Sequence, residues 1–466
     1  MLNKYKSRSI PVILQSTFLV IIFLFSSQCN QTKDTAYESL LDYTNQIKVI
    51  NTHEHQHWPE EYGDLHYRLP HLIKASYLIS DVVSAGATRM DWDVVDTISL
   101  EDYWDQRGQA LDFTRSTSYY SHFIKGFRKL YDFDNLFFTE SNFEDLSAQV
   151  EANYADYKTW FDKAFHKAGF ELMFLDQWWK PFNTEVAEPY FALVFNINPL
   201  VMQVSSKPET GDEGPEVYQR AKKEGHSIGS LDDYLSFCEQ QFQKNLEKQA
   251  VCVKNSLAYA RSLDFEDVSY DLARDLFARP SFDLSDQEKK KLQDFMFHWI
   301  VQKSTEHDLP IQIHTGYLAG NGNQLDNGKP VKLNNLFLSY PEAKFVLFHG
   351  GYPWTGEYAA FGKMFPNVYL DLVWLPQISR EEAIHALDEM FDAVPYNKFF
   401  WGGDCTFIEE STGSLEFGKE VVAEVLAKRM ERGLLTQEVA EEMIRCIFRE
   451  NAIRVFKLED KPGRSS

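Results

Sequence analysis

The sequence predicts an α/β fold, a (β/α)8 barrel with a long helical insertion after its first strand. Three observations carry this. Eight short apolar runs lie along the chain, at 47–53, 171–175, 191–197, 250–254, 310–314, 345–349, 368–373 and 399–403. Helix-period patterns separate most of them, at 231–249, 286–307, 356–365 and 379–393, and two more follow at 415–433 and 436–449. Several runs end on residues with metal or proton chemistry: His53 and His55 in VINTHEH, Lys254 in AVCVKN, His314 in IQIHTG, His349 in FVLFHGG and Asp404 in FFWGGD. Strands alternating with helices return by crossovers and so pair in parallel. Eight such units make a barrel. A doubly wound open sheet would carry a Gly-rich turn after its first strand, and none is found there.

Taken in order, the chain opens on a targeting pattern. Lys4, Lys6 and Arg8 precede the apolar stretch from Ile10 to Phe25, and Ser26 and Ser27 follow. Residues 1–29 read as an export signal. Cys29 just beyond it resembles a bacterial lipoprotein site, although Gln28 stands where such sites carry a small residue. Residues 30–45 read as a tether. The expected location is therefore outside the cytoplasm, periplasmic or cell-surface, with membrane contact only through a lipid on Cys29. Residues 46–460 are the barrel, and 56–170 the insertion. Segments such as YWDQRGQALDFTRSTSYYSHFIKGFRKLYDF look helical and aromatic-rich. A loop leaving the C-terminal end of a barrel strand lies over the active site, so the insertion is a lid and substrate wall, a helical subdomain on the flank, or both.

Composition narrows the partners. A formal charge of -22 excludes the basic footprint that nucleic acid or an anionic membrane surface calls for. The 5 cysteines have no CxxC spacing, so neither a zinc ribbon nor a disulfide framework is indicated. A small-molecule substrate is the partner expected. A homo-oligomer is only the default for barrels.

Residues i and i+2 on a strand point to one side, so His53 and His55 can face one ion. In a chain with 13 histidines that pair alone means little. A lone histidine on an apolar strand is usually a satisfied core residue. His314, His349 and Asp404 at further strand ends change the balance. Buried histidines and an aspartate without partners would cost several kcal/mol, and a shared cation removes that cost. His57 lies past the first strand and is left out of the set.

Several stretches resemble the amidohydrolase superfamily of metal-dependent barrels, in particular the branch called amidohydrolase family 2. That branch includes the hydrolase-like domain of nodulin and glutamine-synthetase-like fusions. The stretches are KFVLFHGGYPWTGEYAAFGKMFPNVYLDLVWLP, NKFFWGGD, RENAIRVFKL, LQDFMFHWIVQKSTEHDLPIQIHTGY and AVCVKNSLAYARSLDFEDV. The resemblance implies that His53 and His55 are the strand-one ligand pair, with His314 and Asp404 completing one tightly held metal. It implies that Lys254 is a carboxylated bridge, and His349 a second-ion ligand, if two ions bind. Otherwise Lys254 is a substrate-binding or salt-bridged lysine. Zn2+ is the expected ion, with Mn2+ or Fe2+ as alternatives. The implied reaction is hydrolysis of an amide, ester or lactone by metal-activated water, with Asp404 as general base and His349 polarising the carbonyl. Decarboxylation of an aromatic or unsaturated acid and isomerisation of a sugar acid are the alternatives in the same superfamily. Tyr317 and Trp374 are candidate substrate walls, as are Tyr352, Trp354, Trp178 and Trp179. Cys405, beside Asp404, reads as a small buried filler, because no base is identifiable near it.

Overall fold

A computed structural model describes residues 35–58, 66–208 and 214–460. Its sheet has eight strands in sequential order: β1 Val49–Glu54, β2 Phe170–Leu175, β3 Phe191–Asn196, β4 Cys252–Asn255, β5 Ile311–Ile313, β6 Phe345–Leu347, β7 Val368–Asp371 and β8 Phe399–Phe400. Every neighbouring pair is parallel. Each strand falls within or beside one of the eight apolar runs. Main-chain bonds draw the last strand to the first: Thr52 N–H to Trp401 O at 3.2 Å, Asp404 N–H to His53 O at 2.9 Å and His55 N–H to Cys405 O at 2.9 Å.

The barrel interior is filled by alternate apolar side chains, among them Ile50, Leu172, Phe174, Val194, Cys252, Val346 and Phe400. The closing helix Asn451–Val455 delivers Phe456 against this plug, with ring centroids 4.9 Å from Phe174 and 5.4 Å from Phe400. That stoppers one end of the barrel. The polar strand ends gather at the other, the C-terminal face where barrel enzymes carry their sites.

The described part of the insertion is helical, with no strand: Leu69–Ala75, Leu78–Ser84, Trp92–Thr97, Leu100–Thr114, Ser118–Leu130, Glu140–Tyr154 and Tyr157–Ala168. Helix Ser118–Leu130 packs on Ile408–Glu431, the helix that follows β8. Gly126 and Gly413 permit this contact, since a Cβ on Gly126 would lie 1.9 Å from Glu409 O and one on Gly413 1.9 Å from His122 O. Buried polar groups then fix the register. Glu409 accepts from Tyr131 Oη (2.5 Å), Tyr154 Oη (2.9 Å) and Trp160 Nε1 (2.8 Å), and Glu410 accepts from the Tyr77 amide at 2.9 Å.

Two expectations need correction. Residues 35–44, read as part of a tether, are helical, with Leu40 and Thr44 fully buried. The helix after β8 begins at Ile408, not 415, because Glu409, Glu410, Ser411 and Thr412 are buried against the insertion and not in solvent. The export signal and Cys29 lie outside the described residues. No described helix is long and apolar enough to cross a membrane.

Candidate metal centre and substrate cavity

His53 and His55 leave β1 on the same side, as i and i+2 predict. Each Nε2 lies 3.2 Å from Asp404 Oδ1. The residues before Asp404 make this approach feasible. A Cβ on Gly402 would come 2.9 Å from Thr52 Oγ1, and one on Gly403 2.1 Å from Glu54 Oε1. The Gly-Gly pair therefore lets the end of β8 lie flat on β1. Glu54 clamps the same junction, accepting from Cys405 N at 2.9 Å and Gln56 Nε2 at 3.0 Å. Asp404, His349 and Trp374 have φ of 61°, 67° and 61°, a left-handed conformation that non-glycine residues rarely adopt. Such strain costs about 1–3 kcal/mol per residue and persists only where the surroundings over-determine it.

Ligand atoms of His53, His55 and Asp404 lie within 4.8 Å of one another. Two imidazole nitrogens and a carboxylate oxygen are the donor set that zinc-like divalent ions take. His55 Nδ1 is held by Asp176 O at 2.8 Å, which aims Nε2 at the cluster. His314 does not join this triangle, although the resemblance implied that it would. Its Nδ1 lies 2.9 Å from His349 Nε2, and its Nε2 is 2.8 Å from Tyr317 O. His349 Nδ1 in turn lies 3.1 Å from Val373 O. These three contacts need three protons, and two neutral imidazoles bring only two. The facing nitrogens are thus short of one proton or cation, which also fits a metal centre. His349 Nε2 is 4.0 Å from Asp404 Oδ2.

Burial sets the charge states. It holds His53 and His314 well below an ordinary imidazole, helped by Lys254 beside the first and His349 beside the second. It pushes His349 down to about 4. Burial also opposes ionisation of Asp404, but hydrogen bonds from His53 and His55 outweigh it and keep the carboxyl well below its usual range. His55 is raised: burial would lower it, and the hydrogen bond and charge of Asp404 prevail. At neutral pH the arrangement is an anionic carboxylate among mostly neutral imidazoles. Lys254 Nζ sits 3.5 Å from His53 Nε2 and 4.8 Å from the Phe348 ring, and burial lowers its pKa.

A cavity of about 520 Å3 opens over the cluster. His55, Lys254, His314 and Asp404 form its polar head, and Trp178, Pro199, Met202, Leu257 and Tyr259 much of its wall. Tyr77 comes from the insertion, donates to Asp404 O at 2.5 Å and stacks on Trp374 with centroids 4.5 Å apart. The insertion is thus both flank and wall. Tyr317 and Trp374, expected as substrate walls, stand behind the histidines: Trp374 is fully buried, 5.1 Å from the His349 ring, and Tyr317 packs on it at 5.6 Å. Cys405 is buried, its thiol pushed well above 9 by burial, and it donates to Gly403 O at 3.2 Å, as a filler would. His57 lies past β1 with its ring 5.2 Å from Trp179. Asp176 and Tyr259 were missed in the sequence. Asp176 follows the apolar run FELMFL as Asp404 follows FFWGG, so the same signal was there to be read. A larger groove of about 730 Å3, beside Lys180, Phe182 and Arg220, contains none of the metal-ligand candidates.

Fold and donor set together define a (β/α)8 barrel with a candidate metal site at the C-terminal ends of its strands. Residues 262–458 match the family described as Amidohydrolase. Over 183 residues the chain is 31% identical to Protein fluG of Emericella nidulans, a match covering 38% of this chain and 21% of that protein. The chain therefore spans about a fifth of the curated relative it matches. Three solved structures share the fold at low identity. Uronate isomerase of Thermotoga maritima has a TM-score of 0.75 at 15% identity, covering 91% of this chain and 97% of that one. Glucuronate isomerase of Caulobacter crescentus gives 0.74 at 16%, covering 93% and 96%. A protein of Lactobacillus casei described as a candidate metal-dependent hydrolase gives 0.61 at 15%, covering 90% and 98%.

Proposed function

We propose that this chain is a metal-dependent hydrolase that opens an amide, ester or lactone bond of a small, largely apolar compound. The observation that carries the reading is the cluster of His53, His55 and Asp404 donor atoms, of which His55 and Asp404 line the head of a cavity walled mainly by apolar side chains. A divalent cation held by these residues, with zinc proposed and manganese or iron as alternatives, supplies Lewis-acid activation of an oxygen. The chain's own groups do the rest. Asp404 Oδ1 stays with the two imidazoles, and Oδ2 faces His349. Oδ2 takes the proton of the attacking water and returns it to the leaving group. His349, neutral at pH 7, keeps Nε2 beside that oxygen to share the proton. Tyr77 and Tyr259 line the cavity.

The isomerases with the same fold are named for acting on uronates, which carry a carboxylate and several hydroxyls. Among the described lining residues there is no arginine, and Lys254 is the one lysine. Among the described lining residues Lys254 alone has a fixed cationic side chain to meet a substrate carboxylate, so hydrolysis of a compound without one suits this wall better. The test is turnover of N-acyl amines, aryl esters and lactones by zinc-loaded protein in 18O-water. Label in the product carboxylate supports the proposal. Carbon dioxide release without label makes the enzyme a decarboxylase, and mass-neutral conversion of a sugar acid makes it an isomerase; either overturns it.

Export with a lipid on Cys29 is proposed from the first 29 residues alone. Mass spectrometry of the mature N-terminus tests it, and an unmodified Cys29 contradicts the lipid.

A further inference from the structure

The geometry points to Asp176 as a substrate-recognition residue: its carboxylate receives a hydrogen-bond donor that the substrate carries within a few bonds of its reacting carbonyl. This rests on the hydrolase reading above and names the substrate class more narrowly, as compounds with an amine or hydroxyl beside the reacting carbonyl and an apolar body beyond it.

The backbone of Asp176 is fixed on both sides. Its N–H donates to Glu54 O at 2.9 Å, and its carbonyl accepts from His55 Nδ1 at 2.8 Å. The residue is therefore tied directly to a metal-ligand candidate. Among the described residues one side chain hydrogen-bonds this carboxylate: Asn196 Nδ2 donates to Oδ1 at 2.8 Å. An ionised carboxylate offers about four acceptor sites. Asp176 is 1% exposed, so bulk water does not fill the others. It nevertheless lines the 520 Å3 cavity. A desolvated carboxylate with unused acceptor capacity, facing a ligand-sized space, is a recognition element that discriminates strongly, because a ligand lacking the donor leaves it unpaired.

Two charged neighbours feel Asp176 through space, since its charge raises Lys254 and His55 against the burial that lowers them, but among the described residues neither hydrogen-bonds its carboxylate. Asn198 Nδ2 is spent on Ser256 Oγ at 2.5 Å. Beyond them Trp178, Met202, Leu257 and Tyr259 take the apolar body. A purely structural Asp176 would act through its carbonyl on His55, its bond to Asn196 or its charge beside Lys254 and His55; zinc content and the affinity of a ligand without a donor report on these, and preference among ligands reports on recognition. Side-chain substitution therefore separates recognition from support of the metal centre.

Three hydroxamates with one carbon skeleton provide the test, since each would chelate an ion held by His53, His55 and Asp404 and they differ only at the α-carbon. Phenylalanine hydroxamate carries an ammonium, 3-phenyllactohydroxamate a hydroxyl and 3-phenylpropionohydroxamate neither. Binding to zinc-loaded protein is measured by calorimetry for the wild type, Asp176→Asn and Asp176→Ala. In the wild type at least one donor-bearing compound binds about ten-fold or more tightly than the bare one. Asp176→Ala removes that preference and leaves the bare compound's affinity and the zinc content unchanged. If the ammonium is the recognised group, Asp176→Asn weakens phenylalanine hydroxamate selectively; if the hydroxyl is, the lactate analogue keeps its advantage in Asp176→Asn. Equal binding of all three by the wild type, or a preference that survives Asp176→Ala, overturns the inference and leaves the hydrolase reading standing. Failure of the zinc-loaded protein to bind any hydroxamate overturns the hydrolase reading and this inference with it.

Discussion

Replacing Gly126 by alanine tests whether the insertion is welded to the barrel as described. The new Cβ would lie 1.9 Å from Glu409 O and 2.8 Å from Glu409 C, both main-chain atoms of the facing helix. No side chain can swing away, so helix Ser118–Leu130 and helix Ile408–Glu431 would have to part by about 1.5 Å to reach an ordinary contact near 3.4 Å. Overpacking of this kind costs about 1–3 kcal/mol, with the high end expected where backbone meets backbone. Alanine is the better helix former by about 1 kcal/mol, which offsets part of the loss. A net destabilisation of about 2 kcal/mol remains. Urea unfolding of the metal-loaded protein measures it. Gly229→Ala is the control, since its Cβ would meet only Asp233 Oδ2 at 3.5 Å. A Gly126→Ala protein within about 0.5 kcal/mol of wild type would refute the packing argument.

Other expectations follow from the site. Asp404→Asn lowers turnover by about 10²–10⁴-fold, the range of a lost general base, and full activity with metal still bound would contradict its role. Tyr77→Phe removes the bond to Asp404 O while keeping the stack on Trp374; metal content holds and turnover falls by about 3–10-fold, whereas unchanged turnover would make Tyr77 packing only. Burial raises Asp371 to about 7 from 3.8. Because the folded state holds that proton more tightly, its stabilising contribution is full below about pH 4 and is lost as pH rises through about 7. Asp371→Asn is expected to flatten the stability curve in that window, and an unchanged slope would contradict the assignment.

The barrel was legible because eight short apolar runs alternate with helical patterns, and five of the strands, β1, β4, β5, β6 and β8, close on a histidine, lysine or aspartate that an apolar run does not otherwise need. His53, His314, His349 and Asp404 mark strand ends so clearly that even β8, two residues long, was located from FFWGGD. What stayed hidden depended on partners distant in sequence. Glu409 and Glu410 look like solvated polar residues, and only contact with Tyr131, Tyr154, Trp160 and Tyr77 makes them interior. The pairing of His314 with His349 is of the same kind, fixed by the carbonyls of Tyr317 and Val373. Helix 35–44 was readable, since Tyr37, Leu40, Leu41 and Thr44 share one face by spacing. The polar stretch before it was extended too far.

The most direct measurement is elemental analysis of the protein purified without added metal, beside a His53→Ala/His55→Ala variant. The wild type is expected to carry about one equivalent or more of zinc, manganese or iron, and the variant to have lost it. Absence of metal from both, with no binding when zinc is added back, would contradict the metal centre on which the proposed reaction depends.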